Sequence, residues 1–371
     1  MSYRVCKRCV MDNKTDKSIK FYGDGTCNYC NYALKRLRKE YFPNEAGRRK
    51  LDNIMRKIKE NGEKKEYDCI VGISGGVDSS YVVYLGYKYG LRMLCVHVDD
   101  GFDTDITHNN VNNLITVTRS ELIIVKPNLD QYRDLIRSFF YAGVPNIAIP
   151  QDNILISALY DTAQKYDIKY ILSGVNLALE SILDKSISHN CLDKTHILAI
   201  HKKFGKSDIS GLHIAGFYEG YIQNRYFKGI KKVCPLNFID YNLNKVLADL
   251  GEFCNYTYYH GKHFESILTR FLQCFYLPQR YGYDKRKSHF SSMIVSGQMT
   301  REEAIKRLHK EPYLNEELQE YDINFISEYL GMKRKEFYDL LYSPPKYHQQ
   351  YPTSRLNKFA NVARMFRKYL G

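Results

Sequence analysis

The feature that most constrains the fold is an alternation between residues 67 and 236. Strand-like runs, YDCIVGI, RMLCVHVDD, ELIIVKP, YILSG and KKVCPL, take turns with helix-period segments such as NILISALYDTAQKY. Short apolar strands separated by helices pair in parallel, because each crossover carries the chain back to the edge where the next strand starts. The expected core is an α/β parallel sheet with helices on both faces, over residues 61–240. Beyond it the strand signal fades into amphipathic stretches, NLNKVLADLGEF, ESILTRFLQCFYL and TREEAIKRLHK, the last opening on a Thr-x-x-Glu helix-start box. Residues 241–371 are predicted to form a helical C-terminal region.

Ahead of the core, Cys6, Cys9, Cys27 and Cys30 form two Cys-x-x-Cys turns with seventeen residues between them. That spacing predicts a closed four-thiolate zinc site, structural in role, which supplies folding energy to a segment too short for its own core. Gly25, in GDGTCNYC, is placed to give the positive φ of the turn. The first module is set at residues 1–60, with a basic helix, YALKRLRKEYF, behind the cysteines.

Lysine and arginine exceed aspartate and glutamate by 55 to 41, a sign that favours phosphates or anionic partners. An AT-rich coding bias, visible in 33 tyrosines and no tryptophan, accounts for the charge equally well. No run of eighteen apolar residues occurs, and ten cysteines in a reducing compartment are thiols or metal ligands, so the expectation is a cytoplasmic protein with no membrane segment.

The chemistry begins at SGGVDSS, residues 74–80. The first strand delivers Ser74, Gly75 and Gly76 to the carboxyl edge of the sheet, and a helix is expected from Val77. Two glycines expose main-chain N–H groups, the helix start adds partial positive charge, and Ser74, Ser79 and Ser80 offer hydroxyls to phosphate oxygens. A Walker loop is excluded: the nearest approach, GKS at 205–207, has Ile200 where the first glycine must stand. Two further stretches fall on the same edge, VHVDDG with Val98 and either Asp99 or Asp100, and YILSGVNLALES with Gly174, Asn176 and Glu180. In the tail, residues 260–304 concentrate Lys262, His263, Glu265 and Arg270, then Lys285, Arg286, Lys287 and His289. Charged donors at such density suit a diphosphate or a nucleotide-linked ligand.

The loop S-G-G-x-D-S resembles the signature of the ATP pyrophosphatases, the PP-loop or adenine nucleotide alpha hydrolase-like superfamily. With the four-cysteine head, SGVNLALES, and above all the block from GKHFES to SGQMTREEA, the chain resembles the N-acetyl sugar amidotransferases of bacterial surface-polysaccharide and nonulosonic-acid biosynthesis. The resemblance runs over nearly the whole chain, to EFYDLLYSPPK; it departs between Glu180 and Phe204, where relatives commonly carry tryptophan and this chain has none. It implies ATP, Mg2+ and structural Zn2+, with Ser74, Gly75, Gly76, Asp78, Ser79, Ser80, Val98, Asp99 and Gly174 around the nucleotide. Asp78, Asn176, Glu180, Lys262 and His263 are then expected to be catalytic, and Glu265, Arg270, Lys285, Arg286, Lys287 and His289 to hold a sugar substrate, taken as nucleotide-linked.

The implied reaction turns an acetamido group into an acetamidino group. The chain opens MSY, without a cysteine at position 2, and has no G-x-C-x-G elbow. The chain is therefore expected to lack a glutaminase of its own; the resemblance implies a separate glutaminase subunit with a channel-forming barrel protein, with ammonia from solution as the alternative. Two rivals compete: a tRNA-modifying PP-loop thiolase, which needs reactive cysteines near the loop, and a zinc-ribbon nucleic-acid adaptor. No second paired cysteine spacing follows the loop, so nucleic acid is not the expected partner.

Overall fold

The computed structural model describes residues 2–356. Five strands form one sheet: β1 (Cys69–Gly72), β2 (Met93–Val98), β3 (Glu121–Val125), β4 (Tyr170–Leu172) and β5 (Lys231–Val233). Their order is β3-β2-β1-β4-β5 and every pairing is parallel, with Val71 opposite Cys95 on one side and Leu172 on the other. All five strand-like runs of the sequence are strands. The central three are almost wholly buried, which is why they read as continuous apolar runs rather than as alternations.

The order reverses at β1. Chain connections leave it toward β2 on one side and reach β4 on the other, so a crevice opens at its carboxyl end, the topological switch point where ligands of open α/β sheets bind. The loop 73–76 fills the lip of that crevice, and the helix Val77–Lys88 starts as the sequence predicts.

The C-terminal region is helical, with Thr300 capping the helix Arg301–Leu308 by accepting from the Glu303 N–H at 3.1 Å. It does not stand apart. One buried apolar cluster runs from Val10 through the sheet helices to Phe337 and Tyr351, while the cysteine head keeps a small cluster of its own that includes Ile182 and touches Val295. Among the described residues no helix is long and apolar enough to cross a membrane.

The head is built around its thiols. Cys6, Cys9, Cys27 and Cys30 are fully buried, their sulfurs lie within 4.8 Å of one another, and the Cys6–Cys30 and Cys9–Cys27 separations are both 3.7 Å. A tetrahedron with Zn–S bonds of about 2.3 Å has edges of about 3.8 Å, so the four sulfurs fit a single ion. Main-chain N–H groups of Arg8 and Cys9 point at the Cys6 sulfur and that of Cys30 at the Cys27 sulfur, each at 3.4 Å, as thiolate ligands require. Gly25 has φ +80°, the turn expected of it.

Candidate active site

The crevice is a cavity of about 1770 Å³, with the loop at one end and residues of the tail at the other. In the loop, Gly75 has φ +69°, and a side chain there would meet Thr107 at 2.8 Å, so only glycine makes this turn. The Ser79 hydroxyl accepts from the Ser74 N–H at 3.2 Å and the Ser74 hydroxyl from the Gly76 N–H at 3.3 Å. Gly76 precedes the helix without a side-chain cap of its own, and beyond the Val77 N–H, which donates to the Tyr259 hydroxyl, the helix start borders the cavity. Gly174, at the tip of β4, packs so tightly on this start that a Cβ would lie 2.9 Å from the Ser79 nitrogen.

Across from the loop, two histidines in left-handed backbone, His260 (φ +58°) and His263 (φ +62°), bend the segment HGKH inward. Lys262 reaches Asp78 and Glu180 together, its Nζ 2.9 Å from each carboxylate. The other Asp78 oxygen accepts from the buried Tyr241 hydroxyl. His263 lies 3.5 Å from Glu180 and 3.4 Å from Glu265. Burial alone would neutralise these groups, but they offset one another. Burial acts against the Glu180 charge, yet Lys262 and then His263 hold its carboxyl well below the usual range. Burial likewise opposes the Lys262 charge, and Asp78 and Glu180 overcome it, so the ammonium is held more firmly than usual. Against burial and the charge of Lys262, hydrogen bonds to Glu180 and Glu265 lift His263 to about 9.

Glu265 is the odd member. It is buried, one oxygen lies where a Gly76 side chain would have to be (2.5 Å), and the other has no hydrogen-bond partner. An unsatisfied carboxylate oxygen beside a phosphate cradle is a place for a cation. Lys285 and His289 also face the cavity, with burial pushing the Lys285 ammonium down and, together with Lys262, pushing His289 to about 3.

Several residues expected at the ligand are placed elsewhere. Arg270 is buried and grips Asp322 with two 2.7 Å hydrogen bonds. Arg286 folds back on Asp284 and donates to the Lys310 and Glu311 carbonyls. Lys287 pairs with Asp12 of the cysteine head and donates to Thr15. Asn176 is fully buried and caps the helix Leu177–Glu180 through the Leu179 N–H. Asp99 turns out to Lys126, at 2.8 Å, leaving Val98 and Asp100 at the cavity wall. Ser80 points into the core with its hydroxyl unpartnered. Each sits one or two positions from a residue that does face the cavity, so spacing alone could not separate them.

The sequence reading also passed over Asp152, whose exposed carboxyl lines the cavity and makes no hydrogen bond to a described residue; the surrounding cavity walls push its pKa upward. Tyr241 and Tyr259 were likewise unmarked, although the first holds Asp78 and the second accepts from the Val77 N–H at 3.1 Å. Both lie more than 160 positions from their partners, and nothing local marks them.

The head acts on this site through one helix. Arg286–Val295 carries His289, with Lys285 at its cap, and the head holds it by Lys287–Asp12 and by the Val10 N–H donating to Ser291 at 3.2 Å. Arg301, in the next helix, donates to the Cys6 and Cys9 carbonyls. The cysteine centre thus braces the Lys285–His289 end of the cavity.

Parallel sheet, switch-point loop and convergent charges define an α/β protein with a composite site. Residues 265–365 match the family model described as "LPS biosynthesis protein WbpG-like, C-terminal domain". No curated protein matches the chain. Among solved structures, it is similar to an NH3-dependent NAD synthetase from Campylobacter jejuni (18% identity, 42% of this chain and 72% of that one, TM-score 0.29). It is also similar to the U34-tRNA thiolase NcsA from Methanococcus maripaludis with its [4Fe-4S] cluster (12%, 89% of each chain, TM-score 0.33). A third is the NMN synthetase from Francisella tularensis (14%, 60% of this chain and all of that one, TM-score 0.29).

Proposed function

We propose that the protein is an ATP-dependent amidotransferase that forms AMP and pyrophosphate while converting the acetamido group of a nucleotide-linked sugar into an acetamidino group, in bacterial surface-polysaccharide biosynthesis in the cytoplasm. The observation that carries this reading is the meeting of the glycine-serine loop with Lys262, His263 and Glu180 in one cavity, closed by a region that matches a WbpG-like domain. Zinc in the head and ammonia from a separate glutaminase with a barrel partner belong to the same proposal.

The chemistry needs such a site. An amide carbon is a poor electrophile because the nitrogen lone pair is delocalised, and its oxygen is a poor leaving group. Transfer of AMP to that oxygen, with release of pyrophosphate, cures both faults; ammonia then adds to the carbon and AMP departs with the oxygen. Loop N–H groups, Ser74 and Ser79 hold the departing phosphates, and Lys262 turns from its carboxylates toward the charge that develops there. Asp78 and Glu180, now bridged by Lys262, are the carboxylates that would hold Mg2+ once the ammonium turns away, and the ion would neutralise phosphate charge. Asp152, a carboxylate that faces the cavity and is free of hydrogen bonds to described residues, takes the proton lost as ammonia adds. None of the cysteines lies among the residues lining the cavity, which counts against thiolate chemistry there.

The test supplies the protein with ATP, ammonium and candidate acetamido sugars, and follows both halves by mass spectrometry. AMP, pyrophosphate and a sugar product in which NH replaces O are expected. Sugar-dependent ADP and orthophosphate, or tight tRNA binding with no sugar-dependent AMP, would overturn the reading.

A further inference from the structure

A second cluster of ligand-type side chains lies at the tip of β2, outside the Lys262 array. His97 is buried with its Nδ1 2.9 Å from the Ile73 carbonyl, which fixes that nitrogen as a donor and turns Nε2 toward Asp103, 2.8 Å away. His108, on the helix Asp105–Thr118, brings its ring to 6.4 Å from that of His97, centroid to centroid. One ligand atom from each of the three lies within 4.8 Å of the others.

We infer that His97, Asp103 and His108 bind a divalent transition metal ion. The donor set is two imidazoles and a carboxylate, which selects borderline ions such as zinc, cobalt or nickel over magnesium and calcium. Three protein ligands leave coordination positions open, unlike the sealed four-thiolate set of the head. His97 and Asp103 line the same cavity as Ser74 and Gly76, so an oxygen ligand can reach those positions from the cavity.

Two further observations support a built site. A metal-binding imidazole donates its other N–H to a carbonyl, and the Ile73 carbonyl does this for His97. Asp103 is held in place by its bridge to Ser266, with the Thr104 N–H donating to the Glu265 carbonyl at 3.2 Å and the Ile267 N–H to the Phe102 carbonyl at 2.8 Å. An ion pair stapling β2 to this loop would need only His97 and Asp103. His108 then has no work: its side chain is exposed and makes no hydrogen bond to a described residue.

The experiment therefore turns on His108. The full-length protein, with the metal of its cysteine head retained, is titrated with Co2+ in buffer free of nucleotide and magnesium, and bound cobalt is counted by elemental analysis and by visible absorption. One equivalent beyond the thiolate-bound metal is expected in the wild type. His108→Ala should weaken that equivalent more than about 100-fold, at or beyond the upper end of losses from supporting residues. His108→Asp should restore much of it, with circular dichroism unchanged in both variants. His213→Ala, which dismantles the exposed Asp161–His213–Glu219 group, should leave it intact. No extra equivalent, equal binding by wild type and His108→Ala, or loss on His213→Ala instead, would overturn the assignment. None of these readouts depends on the amidotransferase reading.

Discussion

Two sets of cations in the same tail segment have opposite fates. Lys262, His263, Lys285 and His289 face the cavity; Arg270, Arg286 and Lys287 turn into the protein and brace it. Within the sequence they form one basic run, but the inward set is gripped by other parts of the fold: Arg270 by Asp322, Arg286 by Asp284 and the Lys310 and Glu311 carbonyls, Lys287 by Asp12 and Thr15. In the cavity set, Lys262 and His263 are held by carboxylates that also face the cavity, and His289 by the Leu179 carbonyl. A cation in a charge run is thus assigned by what satisfies it in the fold, and removing members of each set should damage different properties.

The largest effect is expected at Arg270. Its removal leaves Asp322 buried with only the Tyr313 hydroxyl, 3.0 Å away, to hold its charge. Arg270→Met should cost about 3–5 kcal/mol in urea unfolding, and Arg270→Met with Asp322→Leu should recover most of it. If Arg270→Met unfolds normally but fails to bind sugar, the division between the two sets is wrong.

Lys262→Met should do the reverse. Activity is expected to fall by about 10²–10³-fold, the usual consequence of losing one preorganised group at developing charge, with a stability loss smaller than that of Arg270→Met, because Asp78 keeps the Tyr241 hydroxyl and Glu180 keeps His263. The variant should also bind Mn2+ more tightly than wild type in the absence of nucleotide, because the ammonium now lying between Asp78 and Glu180 is gone. Unchanged Mn2+ affinity would mean that these carboxylates do not receive the metal.

How much of this was legible in the sequence follows from range. The five strands, the start of the helix at Val77 and the cap at Thr300 depend on neighbours within a few positions, and all were readable. So was the cysteine centre, whose two turns each set their own spacing. Which of Ser79 and Ser80 faces the ligand was not: adjacent residues at a helix start point about 100° apart, and only the packed sheet decides which is inside. The roles of Tyr241 and Asp12 depend on partners more than 160 positions away, beyond the reach of any local pattern.

Lys287→Met tests the bracing set more gently. Asp12 keeps the Thr15 hydroxyl, at 2.6 Å, and the Thr15 N–H, at 2.8 Å, so a loss of about 1.5–3 kcal/mol is expected, typical of one hydrogen bond to a charged group. Because this pair anchors the helix carrying His289, KM for the sugar should rise more than KM for ATP. Equal shifts in both would separate the head from the substrate end.

His263 gives the comparison a pH axis. Its charge opposes burial and Lys262 but is favoured by Glu180 and Glu265, so its pKa is raised to about 9 in the folded protein from about 6.5 when unfolded. The imidazolium's contribution to stability is full below 6.5 and fades as pH rises through about 9. With the side chain 41% exposed to the cavity, solvent screens that contribution, and the clearer signal is an alkaline limb of kcat near pH 9. His263→Gln should abolish that limb and Arg286→Lys should keep it; a limb that survives in His263→Gln belongs to another group.

The smallest expected effect has the opposite sign. Ser80 lies beside Ser79 in the signature loop, yet its hydroxyl is buried with no partner. Burying an unpaired hydroxyl costs roughly 1–3 kcal/mol, and alanine removes that cost while leaving a void about one oxygen in size. Ser80→Ala should therefore be neutral to about 1 kcal/mol stabilising and should leave KM for ATP unchanged, whereas Ser79→Ala, which loses the hydroxyl that accepts from the Ser74 N–H, should raise it. A rise in KM for ATP in Ser80→Ala would mean that the second serine turns toward the nucleotide when the loop fills, and that the loop in the nucleotide-bound protein differs from the one seen here.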